Sequence, residues 1–391
     1  MGHDRRRPRA AALSPRARAA GGRAGFLPVA RPDLSGNERR YAEECLRTGW
    51  ISSSGAFVRR FEAAFAEACG VPHAVATSLG TTALHLALTA AGIGPGDEVL
   101  VPVWTFVATA NAVRYTGARP ALVDVEPVGW GIDPEQAARK LTRRTKAIIP
   151  VHLYGHPADM VALRWLARRR GLLLVEDAAE AHGAEVGGRR VGGLGDMGCF
   201  SMFANKILTT GEGGILVTRN RRLAESARRL RDHGMGRRRY WHPVVGYSYG
   251  LGNVQAAIGL AQVERFEELL KRKDAIGARY AHGLREIPGV RLPAVRPGVR
   301  AVCWLASMLV EPRTFGMGRD ALMRALAARG IETRPFFYPL HRMPPYRSRE
   351  RFPVAERLAR QGLNLPSGPA ITGEEIDRVI DAVRRVQRHG A

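Results

Sequence analysis

Lys206 is the residue whose neighbours best suit covalent chemistry. It lies in the stretch from Gly198 to Leu216, GCFSMFANKILTTGEGGIL, five residues after Ser201 and five before the Gly-Glu-Gly-Gly turn at Gly211. Burial disfavours an ammonium and lowers the amine's pKa, which is the condition a Schiff-base nucleophile needs. The chain has only five lysines. The other four, Lys140, Lys146, Lys271 and Lys273, stand in charged, helix-like segments such as KLTRRTK and KRK, where exposure is expected. A lysine whose stem crosses apolar surface to reach water would give the same local pattern, so the stretch needs partners.

Two other stretches offer them. In GLLLVEDAAEAHGA the apolar run Leu172–Val175 reads as a parallel strand covered on both faces, ending in Glu176 and Asp177. HAVATS, then Ser78-Leu79-Gly80-Thr81-Thr82, then ALHLALTAAG reads as strand, small-residue turn and helix start. That arrangement presents free backbone N–H groups to a phosphate; Ser78 as an ordinary N-cap is the alternative. Past the strand Val99–Val103 come Trp104 and Phe106, either core aromatics or groups to stack on a flat ring. Ligands of open α/β sheets sit at the carboxyl ends of the strands. A phosphate-type turn, a buried acid and an amine, in this order along the chain, suit pyridoxal 5′-phosphate. The amine condenses with its aldehyde, the acid keeps its pyridine nitrogen protonated, and the turn cradles its phosphate.

The elements that must position these groups follow from periodicity. Strands alternate with helices over about 200 residues, which predicts a mostly parallel, doubly wound α/β sheet. Ahead of it, NERRYAEECLRTGW reads as a helix with Tyr41, Cys45 and Leu46 on its inner face. FVRRFEAAFAEACG follows with Phe57, Phe61 and Phe65 in the core. A long helix continuing from Gly259 to Tyr280 would bridge to a smaller α+β domain. There VCWLASMLV is a strand and RDALMRALAARG a helix, and the terminal helix turns Ile376, Val379, Ile380 and Val383 inward. The expected division is 1–25 as a disordered Arg-rich extension, 26–265 as the large domain, and 266–391 as bridging helix and small domain.

Composition bounds the rest. A chain of 391 residues, 45% hydrophobic, can bury a large core, and no apolar run is long enough to span a bilayer. Cys45, Cys69, Cys199 and Cys303 are scattered without a C-x-x-C pair, which argues against a metal site or disulfide framework and favours the cytoplasm. The formal charge of +24 raises a polyanionic partner. Its carriers are nearly all arginines spread along the chain, seven of them in the first 25 residues. That distribution fits a small phosphorylated ligand better than specific nucleic acid.

The chain also resembles the DegT/DnrJ-type PLP-dependent sugar aminotransferases, which act on nucleotide-linked keto-sugars. The matching stretches include GTTALHLALTAAGIGPGDEVLVPVWTFVATANAV, VHLYGHPADM, VEDAAEAHGA, CFSMFANKILTTGEGG and NVQAAIGLAQVER, and the resemblance covers about residues 26 to 391. It implies a fold-type-I transferase with a mostly parallel sheet, a small C-terminal domain, and a homodimer with shared active sites. Lys206 matches the Schiff-base lysine and Asp177 the partner of the pyridinium. Glu180 stands where the family has Gln or Glu near the cofactor's phenolic oxygen. Phe106 matches the aromatic over the ring, and Gly80, Thr81 and Ser201 the phosphate contacts. Members that replace the lysine with histidine dehydrate instead; Lys206 disfavours that variant.

One departure matters. Where the family reads Asn-Tyr-Arg, with the Asn reaching the neighbouring subunit's cofactor phosphate, this chain has Ser248-Tyr249-Gly250. Ser248 keeps one hydrogen-bonding hydroxyl on a shorter stem. RRRYWHPVVGYSY and RPFFYPLHRMPPY are similar to stretches of the perosamine-type members of the family. That similarity implies a GDP-4-keto-6-deoxymannose acceptor, glutamate as donor and amination at C4. By residue type, Arg237–Arg239 would suit its pyrophosphate and Trp241, Tyr249 or His341 could face a sugar or base, with loop packing or solvation the alternative for each. A mycosamine-type enzyme, aminating a GDP-linked 3-keto sugar, and a non-catalytic regulator on the same fold are the alternatives.

Overall fold

The computed structural model describes residues 25–389, so nearly all of the Arg-rich extension expected at 1–25 lies outside the described residues. Seven strands form the central sheet: β1 (His73–Thr77), β2 (Glu98–Pro102), β3 (Arg119–Val123), β4 (Thr145–Ile148), β5 (Leu173–Asp177), β6 (Met197–Ser201) and β7 (Gly214–Thr218). Their order is β1-β7-β6-β5-β4-β2-β3. Only β7 runs against the others, pairing antiparallel with both β1 and β6.

The apolar runs predict a sheet covered on both faces, and the cores show how. Along β2, Leu100 enters one core while Val99 and Val101 enter the other. Leu174 and Val175 of β5, and Ile215 and Leu216 of β7, divide in the same way. A pleat with period two makes this division unavoidable, and only an apolar run satisfies both faces. One face carries α1 (Glu38–Thr48) and α2 (Ala56–Ala68), with Tyr41, Cys45, Phe57, Phe61 and Phe65 buried as expected. Leu46 differs from expectation. It is 67% exposed, because α1 turns only a narrow stripe inward before Gly49 ends it in the left-handed region.

The predicted long helix is two. α8 (Asn253–Glu264) stops at Arg265, whose φ of −109° leaves helical geometry, and α9 (Phe266–Leu284) restarts at the next residue. The break lets Arg265 ion-pair with Asp33 at 3.1 Å. Phe266, Leu269 and Leu270 of α9 pack in the first core, while Ile276, Tyr280 and Leu284 pack in a third. That third core lies under a second sheet of β8 (Val290–Arg291), β9 (Ala306–Val310), β10 (Arg334–Pro335) and β11 (Gly362–Leu365). Ile376, Val379, Ile380 and Val383 of the terminal helix are buried in it as predicted, and Leu27 joins them from the other end of the described chain.

Lys273 overturns the expectation of exposure. It is fully buried on α9, with Nζ donating to the carbonyl oxygens of Trp304 and Ser367. The KRK triplet sits where α9 passes between the cores. One turn position faces inward regardless of its charge, and two main-chain carbonyls solvate the ammonium there. Among the described residues no helix is long and apolar enough to cross a membrane.

Candidate active site

The carboxyl ends of β1, β2, β4, β5 and β6 open into one cavity of about 340 Å³. Asp177, the last residue of β5, points into it. Thr109 Oγ1 donates to Oδ2 at 2.7 Å and the Ala179 amide to Oδ1 at 3.2 Å. Burial pushes its pKa up, while those hydrogen bonds and the nearby Lys206 charge pull it back. Glu176, one residue earlier, points to the opposite side, as strand alternation requires. It accepts the amides of Gly192, Leu194 and Gly195 and stands 3.0 Å from His152 Nε2. His152 Nδ1 accepts the Ala158 amide, so Nε2 carries the proton and donates to Glu176. Of the two adjacent acids, one builds the fold and the other faces the cavity.

Lys206 reaches the same cavity and is 9% exposed. Its Nζ lies 3.6 Å from Glu180 Oε1 and 3.8 Å from the centroid of the Trp304 ring. Burial lowers the amine's pKa, against the attraction of Glu180 and Asp177. Glu180 accepts the Tyr154 amide at 2.8 Å, and burial pushes its carboxyl up to about 7 although Lys206 opposes the shift. From the ordinary value of 4.5 up to about 7, the folded chain holds a proton that the unfolded chain has released. Folding stability therefore falls as pH rises through that window. Glu180→Gln lacks this penalty. Its stability relative to the wild type should improve between pH 5 and pH 8 by about 1–3 kcal/mol. Denaturant melts of both proteins at the two pH values test this, and an unchanged difference would remove Glu180 as a neutral-range titrating group.

The third component is the start of α3 (Gly80–Ala90), where Gly80 and Thr81 line the cavity. The residue before the helix is Leu79, whose side chain cannot cap it, so first-turn amides stay open toward the cavity. Ser78 is not the cap; its hydroxyl lies 3.4 Å from Thr82 Oγ1. A side chain at Gly80 would meet Ser201 Cβ at 2.8 Å, so glycine is what lets the helix start and the Ser201 hydroxyl share one space. Phe106 is 54% exposed at the cavity wall, tilted against Phe337 at 5.5 Å. Trp104 is core instead, its indole N–H donating to the Phe337 carbonyl.

Lys206, Asp177, Glu180, Gly80, Thr81, Ser201 and Phe106 thus share one cavity. His341 does not. It is buried elsewhere, its Nε2 2.9 Å from Glu356 Oε1 and its ring against Phe352, while its Nδ1 is buried without a hydrogen-bond partner. Trp241 is 62% exposed on a surface segment outside the cavity. Ser248 is exposed outside it too, its backbone bridging to Asp232. Four residues that patterning did not single out belong to the site. Thr109 orients Asp177, Trp304 covers Lys206, and Arg334 is the second cation of the lining. The fourth is Tyr154, which holds a left-handed φ of 52° while its amide fixes Glu180. Its VHLYG context gives no sign of that strain.

A mostly parallel sheet with a buried lysine, a buried strand-end acid and an open helix N-terminus at its carboxyl edge is the architecture of fold-type-I transferases, and the sequence comparison agrees. Residues 32–384 match the DegT/DnrJ/EryC1/StrS aminotransferase family, and the chain belongs to it. Among its relatives is the GDP-perosamine synthase of Caulobacter vibrioides, 48% identical over 92% of this chain and 98% of that protein. The GDP-perosamine synthase of Escherichia coli O157:H7 is 42% identical with the same coverage of both. Among solved structures, S. venezuelae DesV in complex with a ketimine intermediate superposes with a TM-score of 0.86 at 39% identity, covering 93% of this chain and 98% of its own.

Proposed function

We propose that the chain is a pyridoxal 5′-phosphate-dependent aminotransferase that moves an amino group from glutamate to GDP-4-keto-6-deoxymannose. The observation that carries the chemistry is the meeting of Lys206, Asp177 and the uncapped start of α3 in one cavity. Those residues fit the cofactor. The open amides at Gly80 and Thr81, beside the Ser201 hydroxyl, suit a phosphate. Asp177 suits a protonated pyridine nitrogen, Phe106 a ring face, and Lys206 the aldehyde. When bound, pyridoxal 5′-phosphate supplies the electron sink for the donor's α-carbon. Lys206, its amine freed and its proton affinity lowered by burial, holds and moves the proton at that carbon. Glu180, with its carboxyl near neutrality, can present a proton to an anionic oxygen beside it. Arg334 at the mouth suits a donor carboxylate or a sugar-nucleotide phosphate.

The acceptor rests on likeness to the perosamine synthases along almost their whole length. A homodimer explains the segment that holds Tyr240, Trp241, Val244 and Val245. These are large apolar residues left exposed on one chain, as a surface covered by a second copy would be. The free cysteines suit the cytoplasm. Incubation with glutamate and a panel of GDP- and dTDP-linked keto-sugars tests the acceptor. Turnover of GDP-4-keto-6-deoxymannose, with nitrogen at C4 by NMR, is expected. Turnover of dTDP-sugars alone overturns the acceptor, and nitrogen at C3 makes the enzyme mycosamine-type.

A further inference from the structure

Trp304 touches the reactive centre yet has no chemistry of its own to contribute. Its ring centroid is 3.8 Å from Lys206 Nζ, and the residue is 4% exposed. Every part of it is tied. The indole N–H donates to the carbonyl of Asn205, the residue before Lys206, at 2.8 Å. Its ring lies nearly parallel to Tyr154, at 13° and 6.0 Å between centroids. From behind, buried Lys273 donates to the Trp304 carbonyl at 3.0 Å. Trp304 stands just before β9, so these contacts fasten the second sheet to the lysine loop of the first.

We propose that the indole face of Trp304 is the resting site of the free Lys206 ammonium, fixing where the amine waits and how readily it releases its proton. The proposal rests on Lys206 being the reactive amine. The charged groups facing that amine are Glu180 and Asp177, which favour the ammonium, and Arg334, which opposes it. His182 is buried nearby among Phe65 and Phe200, and burial holds its pKa down to about 3, so it stays neutral. Both carboxyls line the same cavity and are themselves pushed upward by burial. The indole is the one attractive neighbour that never titrates. A cation over an aromatic face gains more when both are desolvated. Trp304 therefore offsets part of the burial that lowers Lys206, and keeps the amine within reach of the cavity centre rather than paired permanently with Glu180.

The test uses cofactor-free protein labelled with 13Cε-lysine, whose five lysines give five NMR signals, that of Lys206 assigned through Lys206→Arg. Trp304→Leu should lower the Lys206 titration midpoint by about one pH unit. Lys140, Lys146 and Lys271 should not move, which shows the fold intact. If Trp304→Leu does not fold, progressive fluorination of the tryptophans keeps shape and weakens only the ring's attraction. Among the described residues Trp304 is the tryptophan that lies under a lysine, so the midpoint should fall stepwise with each fluorine. An unmoved midpoint in Trp304→Leu, or a flat fluorination series, overturns the proposal. Should Lys206→Arg retain amino transfer while the midpoint still shifts, it is the functional reading that fails and not the contact.

Discussion

Lys206→Ala and Lys206→Arg should both lose amino transfer by at least about 10³-fold, and by similar factors. The comparison separates charge from chemistry. Arginine keeps a cation beside Glu180 and Trp304, but its guanidinium stays protonated and is neither nucleophile nor base at neutral pH. Alanine removes the charge as well. If Lys206 mattered only as the counter-ion of Glu180, arginine would rescue. Stability should not follow activity. The ammonium is buried at a net cost, its pKa lowered by desolvation against two carboxyls, so its removal should leave the melting temperature unchanged or raised. Turnover of glutamate with acceptor, measured beside a thermal melt, gives both numbers. A variant retaining more than about one per cent of wild-type turnover sinks the assignment. Purified wild-type protein should also absorb visible light after addition of pyridoxal 5′-phosphate, and Lys206→Ala should lack that lysine-dependent band.

Parts of this arrangement are legible in sequence because they are local. The Leu172–Val175 run declares a strand covered on both faces, and Asp177 must then stand at its end. The small-residue turn before ALHLALTAAG declares a helix start, though the sequence leaves open whether Ser78 caps it, and Gly80 lies there because Ser201 leaves no room for a Cβ. What stays hidden is set by tertiary crossing. Lys273 reads as a solvated charge in KRK, and its burial depends on α9 passing between two cores, with carbonyls of residues far along the chain turned toward it. Trp304 sits within an apolar strand pattern, where any aromatic would be taken as core; its partner Lys206 is 98 positions away. The strain at Tyr154 leaves no trace in composition at all. His341 fails for the opposite reason. A histidine among aromatics and prolines invites a binding role, while a carboxylate fifteen residues on, Glu356, has already engaged it.

The second large effect distinguishes two acids that sequence places side by side. Asp177→Asn should cut amino transfer by about 10²–10⁴-fold. The substitution removes the negative charge that a protonated pyridine nitrogen would face, and little else. The asparagine oxygen can still accept from Thr109, and only the 3.2 Å bond from Ala179 is lost. Its cost in folding should stay near that of one neutral hydrogen bond, about 1 kcal/mol. Glu176→Gln should behave in reverse. Glu176 collects three amides from the segment 192–195 together with His152, all of it buried. An amide nitrogen in place of one oxygen leaves at least one of those donors facing another donor, at about 2–4 kcal/mol. Its effect on turnover should come through loss of folded protein, so that activity per folded molecule stays within about tenfold of wild type. Urea melts and turnover normalised to folded fraction, run on both variants, read the two effects separately. Asp177→Asn within tenfold of the wild type would mean that the buried acid at the end of β5 is structural, as its neighbour is, and that the cofactor's ring nitrogen is not held by it. The opposed outcomes are expected because a strand turns successive side chains to opposite faces. Here one face is the loop that closes the sheet and the other is the cavity where Lys206 waits.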